Sequence, residues 1–264
     1  MANLIRTPKP GIEWTENDLE AYNIHLRLDD ADTFSFKQPI PIQPNVDNEL
    51  LIVQEADGMT SDCNATLVHL IDLAMRPSLS TSAVVDFAVE LLKRLGFVKR
   101  HRVARTRVEI PILVCGKWHT AKTDVCLVDR LTNEILLIVL EDRRNDPREP
   151  SDPLPQLVAA AIAAFDHNKG QRSIEQEDEL AMPPAIPGII LSGTTPTFYR
   201  IRVTQDLVHH VRHGTFPHDP TNVHFLVPDL PRPTRRSEEY QENGDSLRFM
   251  IYGTFYDPAI IRHT

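Results

Sequence analysis

Residues 122–144 read KTDVCLVDRLTNEILLIVLEDRR. Two apolar runs flank a short polar loop, a pattern typical of two antiparallel strands joined by a hairpin. Asp124 stands near the start of the first run, and Glu141 stands at the end of the second. If the hairpin is centred on Thr132 and Asn133, Asp124 lies directly opposite Glu141. The Cβ atoms of such a pair are about 4.5–5.5 Å apart.

This acid pair has two interpretations. Two carboxylates at that distance repel each other unless a cation lies between them. Mg²⁺, or Mn²⁺ in its place, suits the pair, since Mg²⁺ is a hard ion often held by one or two carboxylates together with waters and substrate phosphate. Such an ion can activate water and stabilise the charge that develops on a phosphodiester. Alternatively, Asp124 and Glu141 are two solvated residues at strand ends, where strands meet water.

Composition and charge limit the class of protein. The formal net charge of −9 argues against a general nucleic-acid coat protein, which needs dense positive charge, although it leaves room for a local basic groove. The three cysteines have no metal-site spacing and favour free thiols in a reducing compartment. No apolar run approaches the ~20 residues that span a bilayer. We therefore expect an intracellular protein, cytoplasmic or nuclear, without a membrane partner.

The order of elements predicts an α/β fold, a mixed sheet flanked by helices. Residues 81–264 form the predicted α/β domain, and residues 1–80 form a less regular N-terminal extension with helices at Glu16–His25 and Asn64–Ala74. Helical periodicity and strand patterns alternate through the domain. The helices are TSAVVDFAVELLKRLGF, QLVAAAIAAFDHN and TQDLVHHVRHG; the strands are ARTRVEIPILVCG, the hairpin pair, two in IPGIILSGTTPTFYRIRVT and one in VHFLVP.

The order of elements resembles that of the PD-(D/E)XK, or restriction-endonuclease-like, superfamily. A helix is followed by three antiparallel strands and then by another helix. The second strand carries an acid, and the third has a Glu-x-Lys-like end. A longer pattern covering residues 82–214 resembles a group of fungal proteins of uncharacterised function. That pattern consists of RVARTRVEIPILVCG, TDVCLVD, ILLIVLEDRR, PQLVAAAIAAF and IPGIILSGTTPTFYRIRVT. In those proteins the third strand ends in an acid-Asp-Lys triplet. The resemblance implies a restriction-endonuclease-like fold and metal-dependent phosphodiester hydrolysis.

The resemblance also assigns roles to individual residues. It implies that Asp124 is the motif aspartate and Glu141 the second acid, so that both would hold the metal. Glu90 stands near the place of an additional acid on the first helix, but it also fits the polar face of an amphipathic helix. Gln156 stands where some members place a glutamine at the start of the next helix, and solvation of a helix start explains it equally well.

Arg143 occupies the position of the motif lysine. That lysine is usually assigned to positioning or deprotonating the attacking water. An arginine stays protonated up to about pH 12, so it cannot act as a base, although it can bind a phosphate through two hydrogen bonds. Three functions therefore remain open: a Mg²⁺-dependent nuclease acting through Asp124, Glu141 and Arg143, an inactive relative that binds nucleic acid or a protein, and an intracellular enzyme recruited to a different reaction.

A basic stretch between residues 93 and 107 favours phosphate contact, because it contains no acid. The residues expected to bind DNA or RNA are Arg100, Arg102, Arg105 and Lys122. A solvated helix end and a charged edge strand explain the stretch equally well. His209 and His213 have the helical spacing of a metal-ligand pair, but the neighbouring His210 and the lack of an HExxH glutamate favour a polar helix face.

Overall fold

A computed structural model of the chain describes residues 6–34, 49, 53, 55–75, 82–144, 151–171 and 185–227. Their strands form one seven-stranded mixed sheet with the order β1-β7-β6-β5-β4-β3-β2. The pairs β4–β5 and β1–β7 are parallel, and the other neighbours are antiparallel. The strands are β1 (Ile24–Leu28), β2 (Arg102–Val114), β3 (Lys117–Asp129), β4 (Ile135–Glu141), β5 (Ile186–Ser192), β6 (Thr195–Ile201) and β7 (Thr221–Leu226).

Helices cover both faces of this sheet. They are α1 (Glu16–Ala21), α2 (Ala31–Phe34), α3 (Asp62–Ala74), α4 (Ser82–Arg94), α5 (Pro153–Gln171) and α6 (Gln205–His213), with short 3₁₀ turns at Gly11–Glu13 and Ala56–Gly58. On one face, α1, α5 and α6 close one hydrophobic core, and on the other α2, α3 and α4 close a second. The α/β class and the mixed sheet flanked by helices are as the sequence predicts. None of the helices in the described ranges combines the length and apolar character that crossing a membrane requires.

Helix α5 lies closely on the sheet because its central residues are small. A run of alanines from Ala159 to Ala164, interrupted by Ile162, is fully buried. On the sheet side, Gly188 of β5 leaves room for Leu157, since a Cβ on Gly188 would lie only 2.8–2.9 Å from the Leu157 methyl carbons. Near its end, the Asn168 amide accepts from the Ile135 N–H (2.7 Å) and donates to the Ile135 carbonyl (2.8 Å), which fixes α5 to the start of β4.

The β3–β4 hairpin differs in register from the prediction. Val125 lies opposite Val139, and a register shift follows between Leu127 and Val128. The expectation that Asp124 directly faces Glu141 is therefore wrong by one residue. The physical reason is that the turn closes between Asp129 and Glu134, earlier than predicted, and that one residue of β4 is then accommodated in a bulge.

The N-terminal residues contribute to the sheet, which their sequence did not indicate. The predicted helix Glu16–His25 ends at Ala21, and Ile24–Leu28 forms strand β1 instead. Strand β1 pairs with β7 at one edge of the sheet. The predicted helix at Asn64–Ala74 is confirmed within α3. The predicted polar loop PTRRSEEYQENGDS and the aromatic-rich end LRFMIYGTFY lie outside the described residues.

Candidate functional site

The middle of β3 and the end of β4 bring Asp124, Glu141 and Arg143 together. Asp124 accepts two hydrogen bonds, one from the Glu141 backbone N–H (2.8 Å) and one from Arg143 Nη2 (2.8 Å). Arg143 Nε donates to Glu141 Oε2 at 3.2 Å. One guanidinium therefore contacts both carboxylates. The proximity of the two acids arises although they are not directly opposed, because the Asp124 side chain reaches the backbone of Glu141.

The three side chains lie in a partly covered position at the rim of the sheet. The exposed fractions are 19% for Asp124, 12% for Glu141 and 31% for Arg143. The backbone of Arg143 is also fixed, since its carbonyl accepts from the Ser151 N–H at 3.3 Å in an isolated β-bridge just before α5. Partial burial strengthens the attraction between the ions relative to a fully solvated pair. The cation between the two acids is thus the chain's own guanidinium.

This arrangement does not fit a magnesium or manganese ion. Mg²⁺ requires oxygen ligands at about 2.0–2.1 Å in octahedral geometry. Here the carboxylate oxygens that would face the ion accept instead from guanidinium nitrogens at 2.8 and 3.2 Å. Across the described ranges, no group of three or more His, Cys, Asp or Glu side chains is placed to hold a metal ion. Arg143 would have to leave before Asp124 and Glu141 could share one.

A second ion pair lies beside the first and was not predicted from the sequence. Asp142 is 5% exposed at its side chain and binds Arg144 through both oxygens, with contacts of 3.0, 3.2 and 2.6 Å. Burial alone raises the pKa of Asp142, but hydrogen bonds and charge from Arg144 outweigh it and hold the pKa below its usual value. Burial raises the pKa of the nearby Tyr199 to about 12. The phenol is therefore neutral at physiological pH.

Glu90 belongs to a network between helices. Its carboxylate accepts from Arg94 Nε at 2.9 Å and from Lys93 Nζ at 3.4 Å. Arg94 also donates to Asn64 Oδ1 at 3.2 Å, which joins α4 to α3. The contacts of Glu90 are thus those of a polar helix face, the alternative that the sequence had left open.

Gln156 lies in the first turn of α5, close to the acid pair along the chain. It is half-buried and lines a cavity of about 520 Å³ together with Trp14, Ser151 and Asp152. Ser151 is the residue that bridges to Arg143, so this cavity adjoins the acid site. Glu13 and Glu16 also line it. The cavity therefore presents carboxylates, which disfavour a phosphate.

Of the predicted basic residues, Arg100 and Arg102 lie apart from the acid pair, whereas Arg105 pairs with Cys126 and Lys122 lies on β3, each two residues from Asp124. Strand β2 is an edge of the sheet, and Arg102 pairs with Asp129, which is five residues beyond Asp124 on β3. At about 3.3 Å per residue, this places Arg102 roughly 16 Å from Asp124 along the strand. Arg100 lies in the turn before β2, still further along. Lys122 is half-exposed and pairs with Glu109 at 3.1 Å.

Arg105 and Arg107 line a groove of about 370 Å³ on strand β2. The groove is also lined by the hairpin residue Asn133, by His167 near the end of α5 and by Glu109, whose carboxylate pairs with Lys122. Arg107 lies between the pairs Thr106–Val125 and Val108–Thr123, and it has a positive φ of 53°. Within the part of the chain that the structure describes, neither guanidinium forms an ion pair or donates a hydrogen bond. These two cations are therefore available to an anionic ligand.

In comparisons with known proteins, no protein-family model and no curated protein matches this chain.

Proposed function

We propose that this protein is a restriction-endonuclease-like domain that binds the phosphate backbone of nucleic acid without hydrolysing it. The observation that carries the proposal is the guanidinium of Arg143, which contacts the carboxylates of both Asp124 and Glu141. A metal-dependent nuclease needs those oxygens for its ion. In this chain the same oxygens are held by a permanent cation.

The restriction-endonuclease-like assignment is supported by the order and placement of the elements. Helix α4, the antiparallel strands β2, β3 and β4, and helix α5 follow one another as the sequence resemblance implies. Asp124 lies within β3, and Glu141 is the last residue of β4. Strand β5 then pairs in parallel with β4.

The chemistry of Arg143 argues against hydrolysis at this site. A guanidinium cannot accept the proton of an attacking water at any physiological pH. The surroundings of the acid site also carry unfavourable charge for a phosphodiester, since Asp152 lies close enough to Arg144 to interact with its charge and lines the adjoining cavity with Glu13 and Glu16. A phosphate would approach this rim only if a further cation neutralised it.

The groove on β2 carries positively charged side chains, which attract a phosphate. Arg105 and Arg107 face a space bounded by Thr106, Asn133 and His167. Guanidinium groups bind phosphate oxygens bidentately, so two of them along an exposed edge strand suit successive phosphates. His167 lies fourteen residues after the start of α5, which at 1.5 Å per residue is about 21 Å from its first turn. Arg107, in contrast, lies across from Asp124 in the β2–β3 register, so the groove and the acid pair are neighbours that must be tested by mutating different side chains.

Charge reversal in the groove tests the binding. We expect Arg105→Glu and Arg107→Glu each to weaken the affinity for DNA or RNA by more than about tenfold at low salt, because each removes a phosphate contact and adds repulsion. Arg27→Glu is the matched control, since it makes the same charge change on β1 at the far edge of the sheet. Fluorescence anisotropy with single- and double-stranded oligonucleotides measures the affinities. Equal losses in all three variants would indicate an effect of net charge and not of this groove.

Metal-dependent hydrolysis is the second candidate, favoured by the convergence of two partly buried carboxylates on one cation. It requires Arg143 to swing away when metal and substrate arrive. Calorimetric titration of Mg²⁺ or Mn²⁺ into the native protein separates the two candidates. Binding of an ion that Asp124→Ala abolishes would support the nuclease, and no detectable binding would support the non-hydrolytic domain.

A further inference from the structure

Helix α6 carries two histidines, His209 and His213, on its exposed face, and neither belongs to the acid pair or lines the β2 groove. The helix begins at the N-cap Thr204, whose side chain accepts from the Leu207 N–H at 3.1 Å, and it ends at Gly214 with a positive φ of 64°. Leu207, Val208 and Val211 are buried against the sheet. His209 and His213 point to the opposite side and are exposed. The buried face thus holds the helix in place while the histidines remain accessible.

The two imidazoles lie close to each other. Their ring centroids are 4.2 Å apart, with an angle of 37° between the ring planes. Residues four apart are neighbours on one helix face, and this spacing lets two histidines reach the same ion.

A hydrogen bond sets the tautomer of His213. Its Nδ1 lies 2.8 Å from the carbonyl oxygen of His209. A carbonyl oxygen only accepts, so Nδ1 carries the proton, and in the neutral ring Nε2 keeps the lone pair. Metal-ligating histidines are commonly oriented in this way, with the second ring nitrogen donating to a backbone carbonyl or a carboxylate. The Nε2 atom of His213 therefore has a lone pair that can bind a metal ion.

His210, in contrast, uses both of its ring nitrogens in contacts with neighbouring side chains. Its Nδ1 lies 2.6 Å from Thr215 Oγ1, and its Nε2 lies 3.5 Å from Asp206 Oδ1. Both ring nitrogens are occupied by groups that hold the end of the helix. His210 is thus a structural residue, although it stands between the other two in sequence.

We propose that His209 and His213 bind one divalent transition-metal ion such as Zn²⁺, with water completing the coordination. Two imidazole nitrogens suit zinc, copper and nickel, whereas Mg²⁺ and Ca²⁺ prefer oxygen ligands. The site is independent of the acid pair and of the β2 groove, and it requires neither hydrolysis nor nucleic-acid binding.

Zinc titration of the full-length chain without an affinity tag tests this site. We expect calorimetry to show one Zn²⁺ per chain, and His209→Ala and His213→Ala each to weaken its affinity by more than about tenfold. His218→Ala is the control, because that side chain is fully exposed and lies outside the helix. Zn²⁺ should also raise the Tm of the native protein and of His218→Ala, and not that of the other two variants.

Because both altered side chains are exposed, we expect each variant to fold, and its Tm without metal checks this. Zinc affinity that survives in His209→Ala and His213→Ala, or a native protein that does not bind Zn²⁺ at all, would overturn the proposal. Replacing Zn²⁺ with Mg²⁺ should give no heat at this site.

Discussion

At the scale of single residues, Arg143 determines what the acid pair can do. Asp124 lies in the middle of β3 and Glu141 ends β4, and the hairpin pattern in the sequence predicted that the two lie near each other. The position of the guanidinium between them could not be read from the sequence, because it depends on the true register of β4 and on the bridge to Ser151. A sequence pattern that distinguishes a metal-binding acid pair from one held by an ion pair must include the residue two positions after the second acid, here Arg143.

Replacing Arg143 with lysine tests this residue directly. We expect Arg143→Lys to create or raise metal-dependent nuclease activity, because lysine is a compact ammonium on a flexible stem whose pKa can fall when it is partly buried. Cleavage of single- and double-stranded DNA and RNA with Mg²⁺ or Mn²⁺ measures the gain. Arg144→Lys is the matched control, and adding Asp124→Ala should abolish any activity. Unchanged activity in Arg143→Lys beside an already active native protein would show that the arginine is not the obstacle.

Asp142 gives a pH-dependent contribution to stability. Its pKa is lowered in the folded protein, so its contribution is fully present above the unfolded pKa of about 3.9 and is lost as the pH falls through the folded value. We expect Asp142→Asn to lower the free energy of unfolding at pH 7 by about 1 kcal/mol, since Arg144 is largely exposed. Urea unfolding should show that the difference from the native protein shrinks below about pH 3.9. A difference that stays constant down to pH 2 would contradict this origin.

At the scale of elements, helices α4 and α5 and the strands from β2 to β6 follow from local patterns. Their periodicity is strong, and their ends carry turn residues. Strand β1 could not be predicted from its local sequence pattern. The segment IHLRL is short, lies at an edge of the sheet and is mostly exposed, so its residues show no alternation between buried and exposed positions. The register of β3 on β4 did not follow either, because a bulge depends on packing against the helices and not on the strand's own residues.

The contact between α5 and β5 predicts opposite effects for two glycines. Gly188→Ala should lower the free energy of unfolding by about 1–3 kcal/mol, because the new Cβ would overlap the methyl groups of Leu157. Gly170→Ala in α5 should raise it by up to about 1 kcal/mol, since a Cβ there meets open space and alanine favours the helix. Urea unfolding of both variants measures the difference. A Gly188→Ala variant as stable as the native protein would show that α5 can move away from the sheet without cost.

At the scale of the whole molecule, charge is unevenly distributed. A chain with a net charge of −9 has two cations without ion pairs in the β2 groove of its described part, and the acid pair lies beside them, since Arg107 is across from Asp124 in the β2–β3 register. Such an arrangement favours an anionic ligand that is attracted by the arginines of the groove and repelled by the carboxylates of the acid pair. Composition indicated the overall sign of the charge, but only the fold shows which charged side chains are neighbours.

Binding and cleavage of one oligonucleotide, followed in the same sample, show whether the protein binds nucleic acid without hydrolysing it. A fluorescent oligonucleotide is incubated with the native protein and Mn²⁺, its anisotropy is read across a salt series, and the same samples are then resolved by length. We expect the anisotropy to be high at low salt and to fall steeply as salt increases, while the oligonucleotide keeps its full length. Shortened products that disappear in the Asp124→Ala variant would contradict it, and would assign the acid pair to phosphodiester hydrolysis despite Arg143.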